Sequence, residues 1–249
     1  MGKLLEVCVD SLASARAAIA GGADRLELCS ALAVGGLTPY GALLQQLRRE
    51  SSIPVRCLMR PRAGDFLYTP EEIRMMAEQI LTLREAGADG FVIGCLNAEG
   101  LLDERAMAPI LEACGGCGIT LHRCIDVSRD PVQTYVTAGK LGIDTVLTSG
   151  GAGCCREGKK AIEEMLRLRE ERGGPEVLIG AGVNAAVISE FRQVLPLSCA
   201  FHMSGKTELE SKMRYRHAGV PMGLPGLDEW HIQQTDPNAV AVAKAALYD

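Results

Sequence analysis

Three stretches of the chain, AGGADRLEL (20–28), EAGADGFVI (85–93) and KLGIDTVLT (140–148), repeat one arrangement. Each has a glycine where a helical pattern ends, then an aspartate, and then a short apolar run. Glycine supplies the left-handed conformation that commonly ends a helix, so a strand can begin directly afterwards. The repeat therefore predicts strands that follow helices at short intervals.

Apolar runs of this kind occur eight times and predict eight strands, with helical periodicity between them. The strands are predicted at residues 4–9, 25–28, 54–59, 90–94, 119–123, 144–148, 176–180 and 199–203. The helices are predicted at residues 12–19, 70–85, 106–114, 158–172, 184–193 and 236–247. Because no linker or low-complexity tract interrupts this alternation, we expect a single domain over residues 1–249.

Eight strand–helix units in 249 residues favour an α/β fold of the (β/α)8 type, the TIM barrel, since parallel strands need helical crossovers. An open doubly wound sheet is the weaker interpretation. Its glycine-rich dinucleotide loop is missing after the first strand, where Asp10, Ser11 and Leu12 stand instead.

The composition excludes several classes of protein. With 26 Lys and Arg against 31 Asp and Glu, the net charge of −5 argues against a nucleic-acid partner. No apolar run has the roughly 18 residues of a membrane span, and Glu6 and Asp10 interrupt any signal peptide. Ten cysteines without such a signal indicate free thiols in a reducing compartment. We therefore expect a cytoplasmic protein with no membrane partner.

Strand side chains alternate between the two faces of a sheet, so the parity opposite to the apolar one points into the barrel. This rule directs a mixed set of polar side chains inward: Glu6, Cys8, Arg25, Glu27, Cys29, Arg56, Arg60, Thr120, His122 and His202. Arg25 and Arg56 could simply neutralise the two glutamates. Arg60, His122 and His202 end their strands at the face where barrel enzymes place their chemistry, which favours a functional role.

Cys8 and Cys29 end neighbouring strands with the same parity, so their sulfurs could approach each other. Two thiolates suit a soft ion such as Cu(I), whereas two packed core cysteines are the competing interpretation. Cys114 and Cys117 form a CxxC motif at the opposite end of the barrel, which we interpret as incidental. Cys154 and Cys155 follow the sixth strand, and are the next candidates for a ligand or metal contact.

Glycine-rich turns follow the last three strands and are typical of phosphate sites in this fold. The candidate anion-binding residues are Arg60, Arg123, Ser149, Gly150, Gly180, Gly182 and Ser204. All seven lysines fall outside the predicted strands, which argues against a Schiff-base mechanism inside the barrel.

At this point nine sequence blocks resemble the CutC family of copper homeostasis proteins, in order along nearly the whole chain. They are LEVCVDS (5–11), GGADRLELCSAL (21–32), GGLTP (35–39), RPRAGDFLYT (60–69), HRCID (122–126), VLTSG (146–150), GAGV (180–183), FHMSG (201–205) and KMRYR (212–216). The resemblance implies a TIM barrel that binds Cu(I) in the cytoplasm through Cys8 and Cys29, and that forms a homodimer or larger homo-oligomer. The chain departs from the family pattern at Cys124 and at Ala200.

A second interpretation is an enzyme that acts on a small, possibly phosphorylated, anionic metabolite. Glu27, His122, Asp126 and His202 would then be the catalytic groups, with His122 or Glu27 as general acid or base and Arg60 holding the anion. The sequence leaves the copper protein and the enzyme open.

Overall fold

Eight parallel strands pair in chain order and close into a barrel, so the (β/α)8 prediction is confirmed. The computed structural model describes residues 3–195, 200–217, 219–220, 222–224 and 226–248. The barrel strands are β1 (Leu4–Val9), β2 (Arg25–Leu28), β3 (Val55–Leu58), β4 (Gly90–Ile93), β5 (Gly118–Leu121), β6 (Thr145–Thr148), β7 (Glu176–Ile179) and β8 (Ala200–Met203). The barrel closes where β1 pairs with β8, which sets Glu6 opposite His202. Cys199, predicted to begin the last strand, lies outside the described residues.

The helices surround the barrel and pack on the outward face of the strands. They are α1 (Leu12–Ala20), α2 (Gly41–Glu50), α3 (Pro70–Glu85), α4 (Glu104–Cys114), α5 (Pro131–Lys140), α6 (Lys159–Arg172), α7 (Ala185–Val194) and α8 (Pro237–Ala246). Two short 3-10 helices, Leu32–Val34 and Arg123–Val127, follow β2 and β5. Leu5, Val7 and Val9 are fully buried in the core shared with the helices, so the apolar parity faces outward as predicted.

Two of these helices were not predicted, and local physics explains why. The segment Val-Gln-Thr-Tyr-Val-Thr in α5 is rich in β-branched residues, which are weak helix formers. Its helix is instead started by Asp130, whose side chain accepts from the backbone N–H of Gln133, and by Pro131 at the first position. Tertiary burial of Tyr135 then stabilises it.

The repeated aspartates join the strands in pairs at the end of the barrel where the strands begin. Each precedes an even-numbered strand, and its carboxylate accepts a backbone N–H near the start of the preceding strand. The bonds join Asp24 to Leu5, Asp89 to Val55 and Asp144 to Ile119. A basic side chain pairs with each carboxylate: Lys244, Arg48 and Arg56, respectively. The repeated aspartates therefore stabilise the amino-terminal end of the barrel. The carboxyl-terminal end of the strands is free of these contacts.

An antiparallel hairpin, β9 (Lys206–Glu210) with β10 (His231–Thr235), lies between β8 and α8. The sequence analysis missed it because KTELE is exposed throughout and HIQQT nearly so, and neither carries the alternation of a half-buried strand. The hairpin begins at the rim of the barrel. Lys206, which follows the last predicted barrel strand, lines the mouth of the barrel there.

Candidate functional site

A cavity of about 460 Å³ opens at the carboxyl ends of the strands. Eight of the predicted site residues line it: Cys8, Glu27, Arg60, His122, Arg123, Asp126, His202 and Ser204. Parity brings these side chains together, because the ends of all eight parallel strands meet at one rim. Phe66 and Lys206 also line it and were not predicted.

Glu6 lies below the cavity and anchors its floor. The carboxylate is fully buried, forms an ion pair with Arg25 and lies 2.8 Å from Nδ1 of His202. Burial alone would raise the pKa of Glu6, but Arg25 and His202 hold it at about 2. The expectation that Arg25 neutralises Glu6 therefore agrees with the structure.

Arg56 has other partners than the expected glutamate. Its guanidinium donates to the hydroxyls of Thr120 and Thr145 and forms an ion pair with Asp144 at 2.7 Å. Glu27 is instead left facing the cavity. Because barrel strands are tilted, the long side chain of Arg56 reaches Asp144 instead of Glu27 on the neighbouring strand.

His202 and Glu27 form the polar wall of the cavity beside Glu6. Nε2 of His202 lies 3.7 Å from Oε2 of Glu27. Burial would lower the pKa of His202, yet Cys8, Glu27 and Glu6 together raise it well above the ordinary value. Burial also raises the pKa of Glu27, and the nearby charge of Glu6 acts in the same direction.

Cys8, Glu27 and His202 are close enough to hold one ion. Within the described ranges they form the set of three potential ligands, with donor atoms all within 4.8 Å of one another. The strand register explains this, because Cys8 on β1 pairs with Glu27 on β2 and not with Cys29. Cys29 lies beyond that pair and donates its S–H to Oε2 of Glu27 at 3.5 Å.

Both cysteines remain neighbours in a small apolar cluster with Leu58, Val92 and Leu32. Burial, followed by the charge of Glu27, raises the pKa of the Cys29 thiol well above its usual value. The two cysteines are therefore close together as predicted, but the Glu27 carboxylate lies beside both of their thiols.

Arg60 lines the opposite wall with its guanidinium largely fixed by the backbone. Nη1 donates to the carbonyls of Val34 (2.9 Å) and Gly36 (3.0 Å), and Nη2 donates to that of Gly64 (3.0 Å). Nε is buried and has no hydrogen-bond partner among the described residues. The side chain packs over Phe66, with Cζ 5.3 Å from the ring centroid.

His122 lies against the same aromatic ring, with ring centroids 4.8 Å apart. Its Nδ1 accepts from the backbone N–H of Cys124 at 3.1 Å. Nε2 is buried and, like Nε of Arg60, has no partner in the described part of the chain. Burial, helped by the charge of Arg60, lowers the pKa of His122 to about 3.

Asp126 binds the loop after β6. Its carboxylate accepts from the Thr148 hydroxyl (2.6 Å) and from the backbone N–H groups of Ser149 (3.0 Å) and Gly151 (3.1 Å). It also pairs with Arg123 at 2.7 Å. With these contacts the carboxylate orients Arg123 toward the cavity and has few lone pairs free for proton transfer.

The glycine turns lie apart from Arg60. Gly150 lines a separate cavity between α5 and α6, and Gly180 packs against Leu147. Gly182 lies next to Cys154. These glycines do not line the mouth cavity, so Arg60 and the glycine turns do not form one anion site together. An anion contact at the turns stays a prediction.

The remaining cysteines lie away from the mouth. The nine cysteines among the described residues are free thiols. Cys155 is buried and Cys154 is half-buried in the loop after β6, whereas Cys114 and Cys117 lie at the opposite end, before β5. Cys124 is fully buried in the main core and not at the rim.

This chain is similar in sequence to known proteins over most of its length. The model of the CutC family matches residues 3–207. The chain belongs to the CutC family. It is 38% identical to a CutC family protein of Erwinia tasmaniensis over 244 residues, covering 98% of this chain and 95% of the relative. It is 39% identical to one of Klebsiella pneumoniae over 245 residues, covering 98% and 97%.

A solved structure resembles this CutC family member closely. It is that of the putative copper homeostasis protein CutC from Streptococcus agalactiae, with 28% sequence identity and a TM-score of 0.75. The match covers 81% of this chain and 98% of that one. The family match ends at residue 207, so most of the β9–β10 hairpin lies beyond it. None of the helices in the described ranges is both long and apolar enough to cross a membrane.

Proposed function

We propose that this CutC family protein binds Cu(I) at the barrel mouth, through Cys8 and His202, in copper homeostasis. The observation that carries the proposal is the cluster of Cys8, Glu27 and His202, whose donor atoms lie within 4.8 Å of one another. The Streptococcus agalactiae relative, named a putative copper homeostasis protein, supports copper as the ion.

Two of the three donors, the thiolate of Cys8 and the imidazole of His202, suit a soft ion. A thiolate and an imidazole are preferred ligands of Cu(I), whereas a carboxylate is a poor one. Nδ1 of His202 lies 2.8 Å from Glu6, which leaves Nε2 directed toward the cluster. A carboxylate that orients a ligand histidine in this way is a common feature of metal sites.

Cys29 supplies a second thiol in the same apolar cluster, and we retain it as a candidate ligand. Binding there requires the thiol to lose its hydrogen bond to Glu27 and its proton. Because protons compete with the metal for sulfur, affinity for Cu(I) should weaken as the pH falls. A cytoplasmic location and a homo-oligomeric state remain part of the proposal, on the family resemblance.

Competition titration of the purified, reduced protein with a Cu(I) chelator tests the site. We expect Cys8→Ser and His202→Asn each to lower the affinity by about a hundredfold or more, since loss of a ligand should exceed loss of a supporting residue. Cys29→Ser should cost less if Cys8 and His202 are the principal ligands. Cys117→Ser, at the far end of the barrel, is the matched control and should bind like the wild type.

An unchanged affinity in Cys8→Ser would rule out this site. Equal losses in Cys8→Ser and Cys29→Ser, with none in His202→Asn, would instead favour the two-thiolate site that the sequence suggested. Zn²⁺ that binds more tightly than Cu(I) under the same conditions would contradict copper as the ion.

A second candidate, an enzyme acting on a small anionic metabolite, is favoured by one observation. The cavity of about 460 Å³ is the size of a small-molecule site and much larger than one ion requires. Its buried groups have pKa values moved in opposite directions, Glu27 upward and His122 downward, which is typical of catalytic sites.

Of the proposed acid–base groups, Glu27 with His202 suits proton transfer best, because His122 is held neutral. Incubation of a mixture of small metabolites with the protein, followed by mass spectrometry, tests this function. Consumption of a compound by the wild type but not by Glu27→Gln would support it. A pool left unchanged by the wild type would contradict it.

A further inference from the structure

Two buried hydrogen-bond donors at the mouth cavity have no partner in the described part of the chain: Nε of Arg60 and Nε2 of His122. Buried polar groups in native proteins are nearly always hydrogen-bonded, and each exception calls for an explanation. Both side chains are more than nine-tenths buried, and both line the same cavity. A ligand atom that accepts from both would explain the pair.

The backbone leaves one edge of the Arg60 guanidinium available. The two hydrogens of Nη1 are taken by the carbonyls of Val34 and Gly36, and one hydrogen of Nη2 by that of Gly64. Nε–H and one hydrogen of Nη2 lie along the same edge of the planar group, and Nε–H has no partner there among the described residues. That edge matches the two oxygens of a carboxylate in a bidentate fork.

His122 is fixed as a donor by its own hydrogen bond. Because Nδ1 accepts from the N–H of Cys124, it carries no proton, and the proton of the neutral ring is on Nε2. A neutral Nε2–H cannot act as a metal ligand or as a base without changing its tautomer. It can donate a hydrogen bond to an oxygen in the cavity.

Phe66 holds the two donors together. Its ring centroid lies 5.3 Å from Cζ of the Arg60 guanidinium and 4.8 Å from the centroid of the His122 ring. One guanidinium charge beside a neutral imidazole complements a single negative charge. A carboxylate, with one negative charge and two oxygens in one plane, matches these two donors, while Arg123 on the same cavity is already paired with Asp126.

We propose that Arg60 and His122 form a binding site for the carboxylate group of a small metabolite, the rest of which extends into the cavity toward Glu27. The site is distinct from the Cys8–His202 metal site. The proposal specifies a carboxylate as the substrate class of the second candidate function, the enzyme. Its biological role rests on that function, whereas the binding site itself does not.

Nitrogen-detected NMR of protein labelled with ¹⁵N in its four histidines tests the site directly. The His122 signals are assigned by their absence in His122→Asn, which retains an acceptor for Cys124 but lacks the Nε2 donor. We expect the free protein to contain the Nε2–H tautomer. Titration with acetate or pyruvate should shift the Nε2–H signal, and inorganic phosphate should not.

Calorimetry with the same probes measures the contribution of each donor. Arg60→Lys and His122→Asn should each weaken pyruvate binding by about tenfold to a hundredfold. Arg62→Lys is the matched control: Arg62 lies two residues away, packs over Tyr68 in place of Phe66 and does not line the cavity.

The wild-type spectrum keeps the proposal testable even if a variant fails to fold. A Nε2–H signal unmoved by carboxylates, a Nδ1–H tautomer, or equal effects of Arg60→Lys and Arg62→Lys would each overturn the site. A stronger response to phosphate than to pyruvate would overturn the carboxylate class. Binding without turnover of any carboxylate would refute the enzyme and leave the binding site standing.

Discussion

At the scale of single residues, the pKa values of the two histidines at the mouth are moved in opposite directions. His202 lies between two glutamates and has a raised pKa, whereas His122 lies beside Arg60 and has a pKa of about 3. Neighbouring charge decides the difference, because both rings are deeply buried.

His122 should make the protein less stable as the pH falls. Its folded pKa of about 3 lies below that of a free imidazole, near 6.5, so only the unfolded chain takes up this proton between those values. Stability that is present above pH 6.5 is lost progressively toward pH 3, by up to about 1.4 kcal/mol per pH unit. His122→Asn removes this contribution.

Urea unfolding of the wild type and His122→Asn at pH 7, 6 and 5 measures the difference. This range stays above pH 4.5, where Glu6, with its pKa of about 2, begins to contribute a similar loss. The difference in free energy of unfolding between the wild type and His122→Asn should become smaller, or change sign in favour of the variant, as the pH falls. Parallel profiles would contradict a neutral His122.

At the scale of elements, the site depends on short loops that side chains hold in place. Asp126, in the 3-10 helix after β5, binds the loop after β6 through Thr148, Ser149 and Gly151. Arg60 in turn binds the loops after β2 and β3 through carbonyl groups. Buried polar groups of the mouth thus serve two purposes, as lining and as supports of the rim.

Asp126→Ala should destabilise the protein by about 2 to 4 kcal/mol, because several buried donors lose their acceptor at once. Asp130→Ala is the matched control, since Asp130 accepts one backbone N–H at the start of α5 and its loss should cost about 1 kcal/mol. Urea unfolding at pH 7 compares them. Equal losses would mean that the Asp126 contacts contribute little.

At the scale of the whole molecule, the barrel is a closed structure from which one hairpin extends. The hairpin exposes the apolar cross-strand pair of Leu209 and Ile232, 41% and 53% accessible, among polar neighbours. Exposed apolar residues on an extension outside the barrel are typical of contact surfaces. We propose them as the contact surface of the homo-oligomer that the family resemblance implies.

We expect the protein to sediment as a dimer or larger oligomer at micromolar concentration. The double change Leu209→Glu and Ile232→Glu should produce a monomer, because like charges would then face each other across the contact. Val242→Glu, at an equally exposed position on α8, should leave the oligomer intact. A wild type that stays monomeric on analytical ultracentrifugation would contradict the prediction.

The sequence by itself determined the barrel and eight of the side chains at its mouth. Apolar alternation is a local property, and it identifies which face of each strand is buried without knowledge of any partner. That reasoning directed Glu6, Cys8, Glu27 and His202 inward correctly. It also recognised the glycine and aspartate junctions, although not the bonds that the aspartates form.

Only the tertiary structure decided which inward groups are partners. Cys8 pairs with Glu27 and not Cys29 because the stagger between β1 and β2 depends on the whole closed barrel. The Nε2 proton of His122 follows from a local bond to the N–H of Cys124, whereas the open edge of Arg60 depends on backbone carbonyls of a distant loop. Contacts of this kind arise from long-range packing, which a pattern of neighbouring residues does not encode.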